Sequence, residues 1–166
     1  MTNSLATYPA EYDEIFWEIH DRLLTQGHAT KLDLGGLVFW KHIQNAPWMT
    51  DLNGIPDIQV TAASAAAFAP NLTDSQRIAA LAPLPGYRAG GAFTSVVLTA
   101  WNPDQYGVFD KLVYAHFPTV IDARCACDWT YLPEYFDHLR RLAQELTVPT
   151  GVAWTPRRVD MALLML

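Results

Sequence analysis

Apolar residues recur three and four positions apart along most of this chain, a spacing that places them on one face of an α-helix. Polar residues fill the positions between them, and proline or glycine repeatedly interrupts the pattern. The pattern predicts helices over residues 11–26, 32–45, 57–68, 73–81, 89–101, 106–117, 132–146 and 155–166.

The segment from Ala89 to Trp101 carries the most regular pattern. Its apolar residues fall at i, i+3, i+4, i+7, i+8, i+11 and i+12, which is one continuous helical stripe. No stretch of the sequence alternates apolar and polar residues as a half-buried strand does. We therefore predict an all-α fold, with residues 1–166 forming one compact domain of seven to eight short helices.

Threonine, glycine and proline mark the predicted helix ends. Thr73 and Thr155-Pro156 are typical helix starts, because threonine caps free N–H groups and proline suits the first helical position. Gly27 suits the left-handed residue that follows a helix. Pro47 is expected to end the second helix, and residues 53–56 to form a turn before the next one.

The composition is that of a folded domain with little electrostatic attraction for nucleic acid. Hydrophobic residues make up 51% of the chain and charged residues only 17%, which excludes a disordered segment. The formal net charge is −6, whereas proteins held on nucleic acid mainly through phosphates are usually basic on at least one face. A DNA-binding surface would therefore have to be a local basic patch.

The sequence predicts a cytoplasmic protein without metal or cofactor. Residues 1–14 lack the apolar run of a secretory signal, and no stretch has the roughly 18 apolar residues that span a bilayer. Cys125 and Cys127 are too close in sequence for an easy disulfide, and their spacing does not suit a structural zinc site. We interpret them as buried thiols.

Residues 73–117 follow a recognisable order. A short helix leads into Leu84-Pro85-Gly86-Tyr87-Arg88, an apolar helix follows, and Asp110 stands at the start of the next helix. This order resembles the helix-hairpin-helix superfamily of base-excision DNA glycosylases. Phe39-Trp40-Lys41 and the segment from Thr155 to Leu163 are similar to an uncharacterised bacterial branch of that superfamily, which is 8-oxoguanine-glycosylase-like.

The resemblance implies a phosphate-binding hairpin and a catalytic aspartate. Backbone N–H groups of Leu84, Pro85, Gly86, Tyr87, Arg88, Ala89 and Gly90 would surround a DNA phosphate, apart from the proline, which has no N–H. Asp110 would stabilise the positive charge that develops on the sugar or activate the attacking water. The other interpretation of Asp110 is structural, because an aspartate at a helix start commonly caps the helix.

Two positions depart from the pattern of the superfamily. Arg88 stands where a second glycine is usual, and it could contact a phosphate directly or point into solvent. Gly90 stands where glycosylases that also cut the strand carry a lysine, so a Schiff-base reaction is not expected. An enzyme of this sequence would be monofunctional, hydrolysing the N-glycosidic bond without strand cleavage.

Six further residues are candidates for a base pocket or a basic DNA patch. Aromatic rings can stack on a base that has been flipped out of the duplex, and cationic side chains can bind phosphates. Core packing is the alternative for the tryptophans, and a solvated helix face is the alternative for the arginines. The candidates are Trp40, Lys41, Trp48, Lys111, Arg157 and Arg158.

Two hypotheses of function follow. The first is a monofunctional DNA glycosylase-like enzyme that acts on a modified or damaged base. The second is a catalytically inactive module with the same fold, used for DNA binding or for interaction with a protein. The acidic charge, the small size and the residues at positions 88 and 90 favour the second hypothesis.

Overall fold

The computed structural model describes residues 10–41, 46–86, 92–117 and 131–166, and within these ranges the chain is helical and has no strand. The prediction of an all-α single domain is confirmed. After a 3-10 turn at Ala10–Asp13, the described helices are α1 (Glu14–Gln26), α2 (Lys31–Trp40), α3 (Ala46–Gly54), α4 (Asp57–Phe68), α5 (Asp74–Leu81), α6 (Ala92–Trp101), α7 (Lys111–Tyr114), α8 (Leu132–Thr150) and α9 (Pro156–Leu164).

Local capping interactions set several of the helix ends. Thr73 accepts a hydrogen bond from the N–H of Gln76, whose side chain in turn accepts from Thr73, so α5 begins with a capping box. Thr155 caps α9 by a single hydrogen bond, which its side chain accepts from the N–H of Arg158. Gly27 ends α1 in the left-handed conformation, with φ of 70°. These three predicted boundaries are confirmed.

The hydrophobic core lies between three helix groups. α1 packs against α2 and α6, α4 packs against α5, and α8 packs against α9. Burying large apolar side chains among these groups provides most of the driving force for folding. The largest side chains with less than 2% exposure are Tyr135, Phe16, Phe136, Ile19, Leu23, Leu34, Leu37, Leu52, Leu81, Leu84 and Leu98.

Two helix boundaries near the start of the chain differ from the prediction. α2 ends at Trp40 rather than near Asn45. A further helix, α3, covers residues 46–54, where we expected a proline stop and a turn. Proline is tolerated in the first turn of a helix because the first N–H groups have no helical partner, so Pro47 lies in the first turn of α3 and does not end α2.

The largest correction concerns the predicted helix over residues 106–117. Only Lys111–Tyr114 is helical, and residues 106–110 run as irregular backbone before it. The reason is that side chains from distant helices bind this backbone: Ser95 accepts from the N–H of Phe109, and Tyr135 donates to the carbonyl of Val108. Such bonds satisfy the backbone groups that a helix would otherwise use.

The described helices differ in length or hydropathy from a membrane-spanning helix. None of them combines the length and the apolar character needed to cross a bilayer.

Candidate active site

The backbone before Asp110 is held from several sides. Asp160 accepts a hydrogen bond from the N–H of Val108, and the Tyr135 hydroxyl donates to the carbonyl of Val108 over 3.0 Å. Ser95 accepts from the N–H of Phe109 at 2.9 Å. Because α6, α8 and α9 all contribute to these contacts, the position of Asp110 is fixed by the packing of the fold.

Gly107 allows this segment to approach the core closely. A Cβ atom at this position would stand 2.9 Å from Asp160 Oδ2 and 2.9 Å from the carbonyl oxygen of Pro156, and it would overlap Leu139. Contacts this short are repulsive for carbon, so only glycine lets the chain pass between α8 and α9. Gly107 therefore determines how closely the segment before Asp110 packs against Asp160.

Asp110 uses its two carboxylate oxygens for different contacts. Oδ1 accepts from the N–H of Leu112 at 2.9 Å and caps α7, which confirms the structural interpretation of this residue. Oδ2 accepts from the ammonium of Lys41, at the end of α2. The side chains of Asp110 and Lys41 are 25% and 16% exposed, so the ion pair is partly shielded from water.

A small cavity borders this ion pair. Its volume is about 20 Å³, which is enough for a single water molecule. Sites for small organic ligands are usually about 300–1,000 Å³, so a nucleobase does not fit inside. The cavity is lined by Tyr12, Trp40, Lys41, Val108, Asp110, Val113, Arg157, Asp160 and Leu164.

Arg157 lies at the base of the site and is buried, with 3% exposure. Its guanidinium donates to Asp13 and to Asp160, each over 2.6 Å. It also lies over the rings of Phe16 and Trp40, 5.1 and 5.2 Å from their centroids. A guanidinium can combine forked hydrogen bonds with stacking on aromatic faces, which explains an arginine in this interior position.

Burial changes the protonation of the groups around Arg157. It raises the pKa of Asp160 to about 6, although the Arg157 charge and the Val108 N–H both act in the opposite direction. Burial, together with the charges of Asp160 and Asp110, raises the pKa of Tyr135. The phenol of Tyr135 therefore stays protonated and donates to Val108 at physiological pH.

Trp40 forms a wall of the cavity and is held in place at its polar edge. Its indole N–H donates to the carbonyl of Tyr12 at 3.0 Å and to Asp13 at 3.1 Å. Only 5% of Trp40 is exposed, so its ring belongs to the hydrophobic core and also lines the cavity. Tyr12 lies beside it with 41% exposure, and burial followed by the neighbouring Asp13 charge raises its pKa.

The structure brings together four of the residues selected from sequence: Asp110, Trp40, Lys41 and Arg157 all line the cavity. Arg158 lies elsewhere, where it donates to the carbonyl of Ala153. The burial of Arg157 also corrects the alternative that placed it on a solvated face.

Part of the predicted site falls outside the described residues. Tyr87, Arg88, Ala89 and Gly90 lie there, as do the cysteines at positions 125 and 127, and the side chains of Trp48 and Lys111 are not described. Of the hairpin, Leu84–Gly86 is described. Gly86 is in the left-handed conformation, with φ of 81°, but none of these three residues lines the Asp110 cavity.

Sequence reasoning missed three residues of the site: Tyr12, Asp13 and Asp160. Asp160 follows Arg157 by three positions on α9, a spacing typical of helical ion pairs, and this was the available signal. Nothing in the sequence connects Asp13 to Arg157, which stands 144 positions later. Among the described residues, no three His, Cys, Asp or Glu side chains are grouped as a metal site would require.

Comparison with known proteins adds no relative. No protein family, no curated protein and no solved structure matches this chain. The site's own geometry is therefore the basis for a proposal of function.

Proposed function

We propose that this protein is a monofunctional DNA glycosylase-like enzyme, which hydrolyses the N-glycosidic bond of a modified or damaged base without a cofactor. One observation carries the proposal. The Asp110 carboxylate, held by Lys41 on a fixed backbone, borders a cavity with aromatic walls and room for one water molecule. A carboxylate next to a water is the arrangement that hydrolytic cleavage of a glycosidic bond requires.

Asp110 would act on the developing charge of the sugar. As the bond between sugar and base breaks, the base leaves with the bonding electrons and positive charge accumulates on the sugar ring. A nearby carboxylate stabilises this charge electrostatically. Water then adds its oxygen to the sugar carbon, and the proton that it loses passes to Asp110, which releases it to solvent.

Lys41 is a positioning residue in this proposal. Its ammonium binds Asp110 Oδ2, so it holds the carboxylate in one orientation. It comes from the end of α2 and not from the hairpin. We assign Lys41 no covalent step. Glycosylases that cut the strand carry their reactive lysine just after the hairpin, at the position that is Gly90 in this chain.

The small cavity limits where a base can bind. Because the cavity has room for a water molecule and not for a base, the flipped base would bind at its mouth, against Tyr12. The Tyr12 side chain is 41% exposed and offers a surface for stacking. Residues 86–90 would hold the DNA backbone, as the resemblance implies. Leu84 is excluded from this role, because it is buried and its N–H donates to the carbonyl of Leu81 at 2.9 Å.

Base release from defined duplexes tests this proposal. Oligonucleotides that each carry one modified or damaged base are incubated with the protein, and the free base is measured by chromatography. Asp110→Asn is the informative variant, because asparagine caps a helix about as well as aspartate and the fold is retained. We expect release to fall about 100-fold or more. Asp51→Asn, which removes an exposed charge on α3, is the matched control and should retain full activity.

Two outcomes contradict the assignment. Base release that is unchanged in Asp110→Asn removes the role of this carboxylate. Covalent trapping of the protein on DNA by borohydride would indicate an amine nucleophile, and the hydrolytic mechanism would then be wrong.

A catalytically inactive module is the second candidate, and a specific observation favours it. Both oxygens of Asp110 are already engaged, one by the cap of α7 and the other by Lys41. A series of gel shifts across salt concentrations tests for DNA binding alone. Binding that weakens steeply with salt indicates phosphate contacts, whereas no binding at any salt favours a protein partner.

A further inference from the structure

A second groove lies between α1 and the end of α6. Its volume is about 480 Å³, which is within the usual range for small-molecule sites. It shares no lining residue with the Asp110 cavity. The lining residues are Trp17, His20, Leu24, Trp101, Asn102, Pro103 and Asp104.

The electrostatics of this groove favour a cation. Asp104 is exposed, and among the described residues none forms a hydrogen bond or an ion pair with its carboxylate. α6 ends at Trp101, so the negative end of its dipole is directed at the groove. No lysine or arginine is among the lining residues.

His20 adds a fixed hydrogen-bond acceptor. Its Nδ1 lies 2.7 Å from the carbonyl oxygen of Ala100. A carbonyl can only accept, so Nδ1 carries the proton and Nε2 of the neutral ring keeps its lone pair. Within the described part of the chain, Nε2 has no hydrogen-bond partner. The groove therefore offers two acceptors, this nitrogen and the Asp104 carboxylate.

Trp17 provides the aromatic surface. Trp17 is 41% exposed, and its ring meets the His20 ring edge-on at 5.4 Å. Trp101 contributes less ring surface, because Phe68 stacks on it at 5.0 Å and the Arg77 guanidinium lies over it at 4.7 Å. An exposed indole next to a carboxylate attracts alkylated cations through its π-electrons.

We propose that this groove binds an alkylammonium ion that retains at least one N–H. The ammonium donates to the Asp104 carboxylate and to His20 Nε2, and the alkyl part packs against Trp17 and Leu24. A neutral ligand of the same shape gains only the apolar contact. The ligand class follows from the two acceptors, the helix end and the indole, independently of the chemistry at Asp110.

Titration with butylammonium chloride, followed by two-dimensional ¹⁵N NMR at constant ionic strength, tests the proposal. The chain has six tryptophans, so each indole N–H reports on one place in the molecule, and Trp17→Phe assigns the signal that matters. We expect the Trp17 and Trp101 signals to move and saturate, with a dissociation constant in the millimolar range. 1-Butanol replaces the ammonium by a hydroxyl and should cause much smaller shifts at equal concentration.

Two variants separate charge recognition from non-specific attraction to an acidic protein. Asp104→Asn should weaken butylammonium binding about two- to five-fold, as expected for an exposed ion pair. Glu18→Gln removes the same charge from an exposed position on α1 outside the groove, and it should leave binding unchanged.

Nα-acetyl-lysine amide supplies the same ammonium from a peptide source. Binding tighter than that of butylammonium would identify a lysine side chain as the ligand, and weaker binding would identify a small amine.

Three results would overturn the proposal. The first is a titration in which butanol moves the same signals as far as butylammonium does. The second is an equal effect of Asp104→Asn and Glu18→Gln. The third is a Trp17 signal that does not respond while indoles outside the groove do.

Discussion

Arg157→Met tests whether the buried ion cluster stabilises the site. Arg157 bridges Asp13 and Asp160, and all three residues are at most 3% exposed. Methionine fills a similar volume against Phe16 and Trp40 but leaves two carboxylates buried without their cation. The variant therefore removes the charge partner while it preserves most of the packing.

The expected loss is large on the scale of protein stability. Breaking a buried ion pair by removing one partner costs about 3–5 kcal/mol, because the remaining charge stays desolvated. A domain of ordinary stability has only about 5–15 kcal/mol in total. Asp160 relieves part of this cost by taking up a proton, since its pKa is already raised to about 6. We therefore expect about 3 kcal/mol at pH 7 and a smaller loss at pH 5.

Urea unfolding followed by circular dichroism measures this loss. Arg158→Met is the matched control, because the neighbouring Arg158 is only partly buried and bonds a single exposed carbonyl, so its loss should cost less than about 1 kcal/mol. The triple variant Asp13→Asn, Arg157→Met, Asp160→Asn should recover part of the stability, since no charge remains buried. Equal losses for the two single variants would refute the reasoning that the buried carboxylates depend on the Arg157 charge.

Two further predictions concern the same region. Gly107→Ala should destabilise the protein by about 1–3 kcal/mol in thermal unfolding, because the added methyl group would overlap Leu139 and crowd Asp160. A loss below about 0.5 kcal/mol would contradict the close approach of this segment to the core. Because the pKa of Asp160 is raised, the folded protein binds its proton more tightly than the unfolded chain does. The free energy of unfolding should therefore fall as pH rises from about 4 to about 6, by at most about 3 kcal/mol. Asp160→Asn should remove this pH dependence.

The helices that sequence predicted well are those with local signals. Thr73 and Thr155 each bind an N–H three positions later, and Gly27 needs only its own backbone freedom. Such interactions depend on a few neighbouring residues, so the pattern of the chain is enough to recognise them. The all-α class follows from the same local regularity.

The segment before Asp110 could not be predicted in this way. Apolar residues recur at helical spacing on both sides of Val108. Its backbone nevertheless forms hydrogen bonds with Tyr135 and Asp160, which are 27 and 52 positions away. Tertiary contacts therefore override the local pattern at the place where the candidate site is built. A helix here would have withdrawn these backbone groups from α8 and α9.

The candidate site was predicted in part. Trp40, Lys41, Asp110 and Arg157 were selected from three separate segments of the sequence, and they meet around one cavity. Their partner Asp13 was not selected, because a lone aspartate near the start of the chain has no signal that connects it to α9. The chemistry-bearing residue types were visible in sequence, whereas the buried charges that hold them were not.

The cap and the proposed chemistry at Asp110 need not exclude each other. Oδ1 bonds the Leu112 N–H and fixes the side chain, while Oδ2 carries the contact with Lys41. A carboxylate immobilised through one oxygen loses less conformational entropy when the other oxygen meets a reacting group. Asp110→Asn keeps the first contact and removes the charge together with its ion pair to Lys41. If the residue only caps α7 and pairs with Lys41, this substitution should leave base release unchanged and cost about 1 kcal/mol of stability, from the lost ion pair.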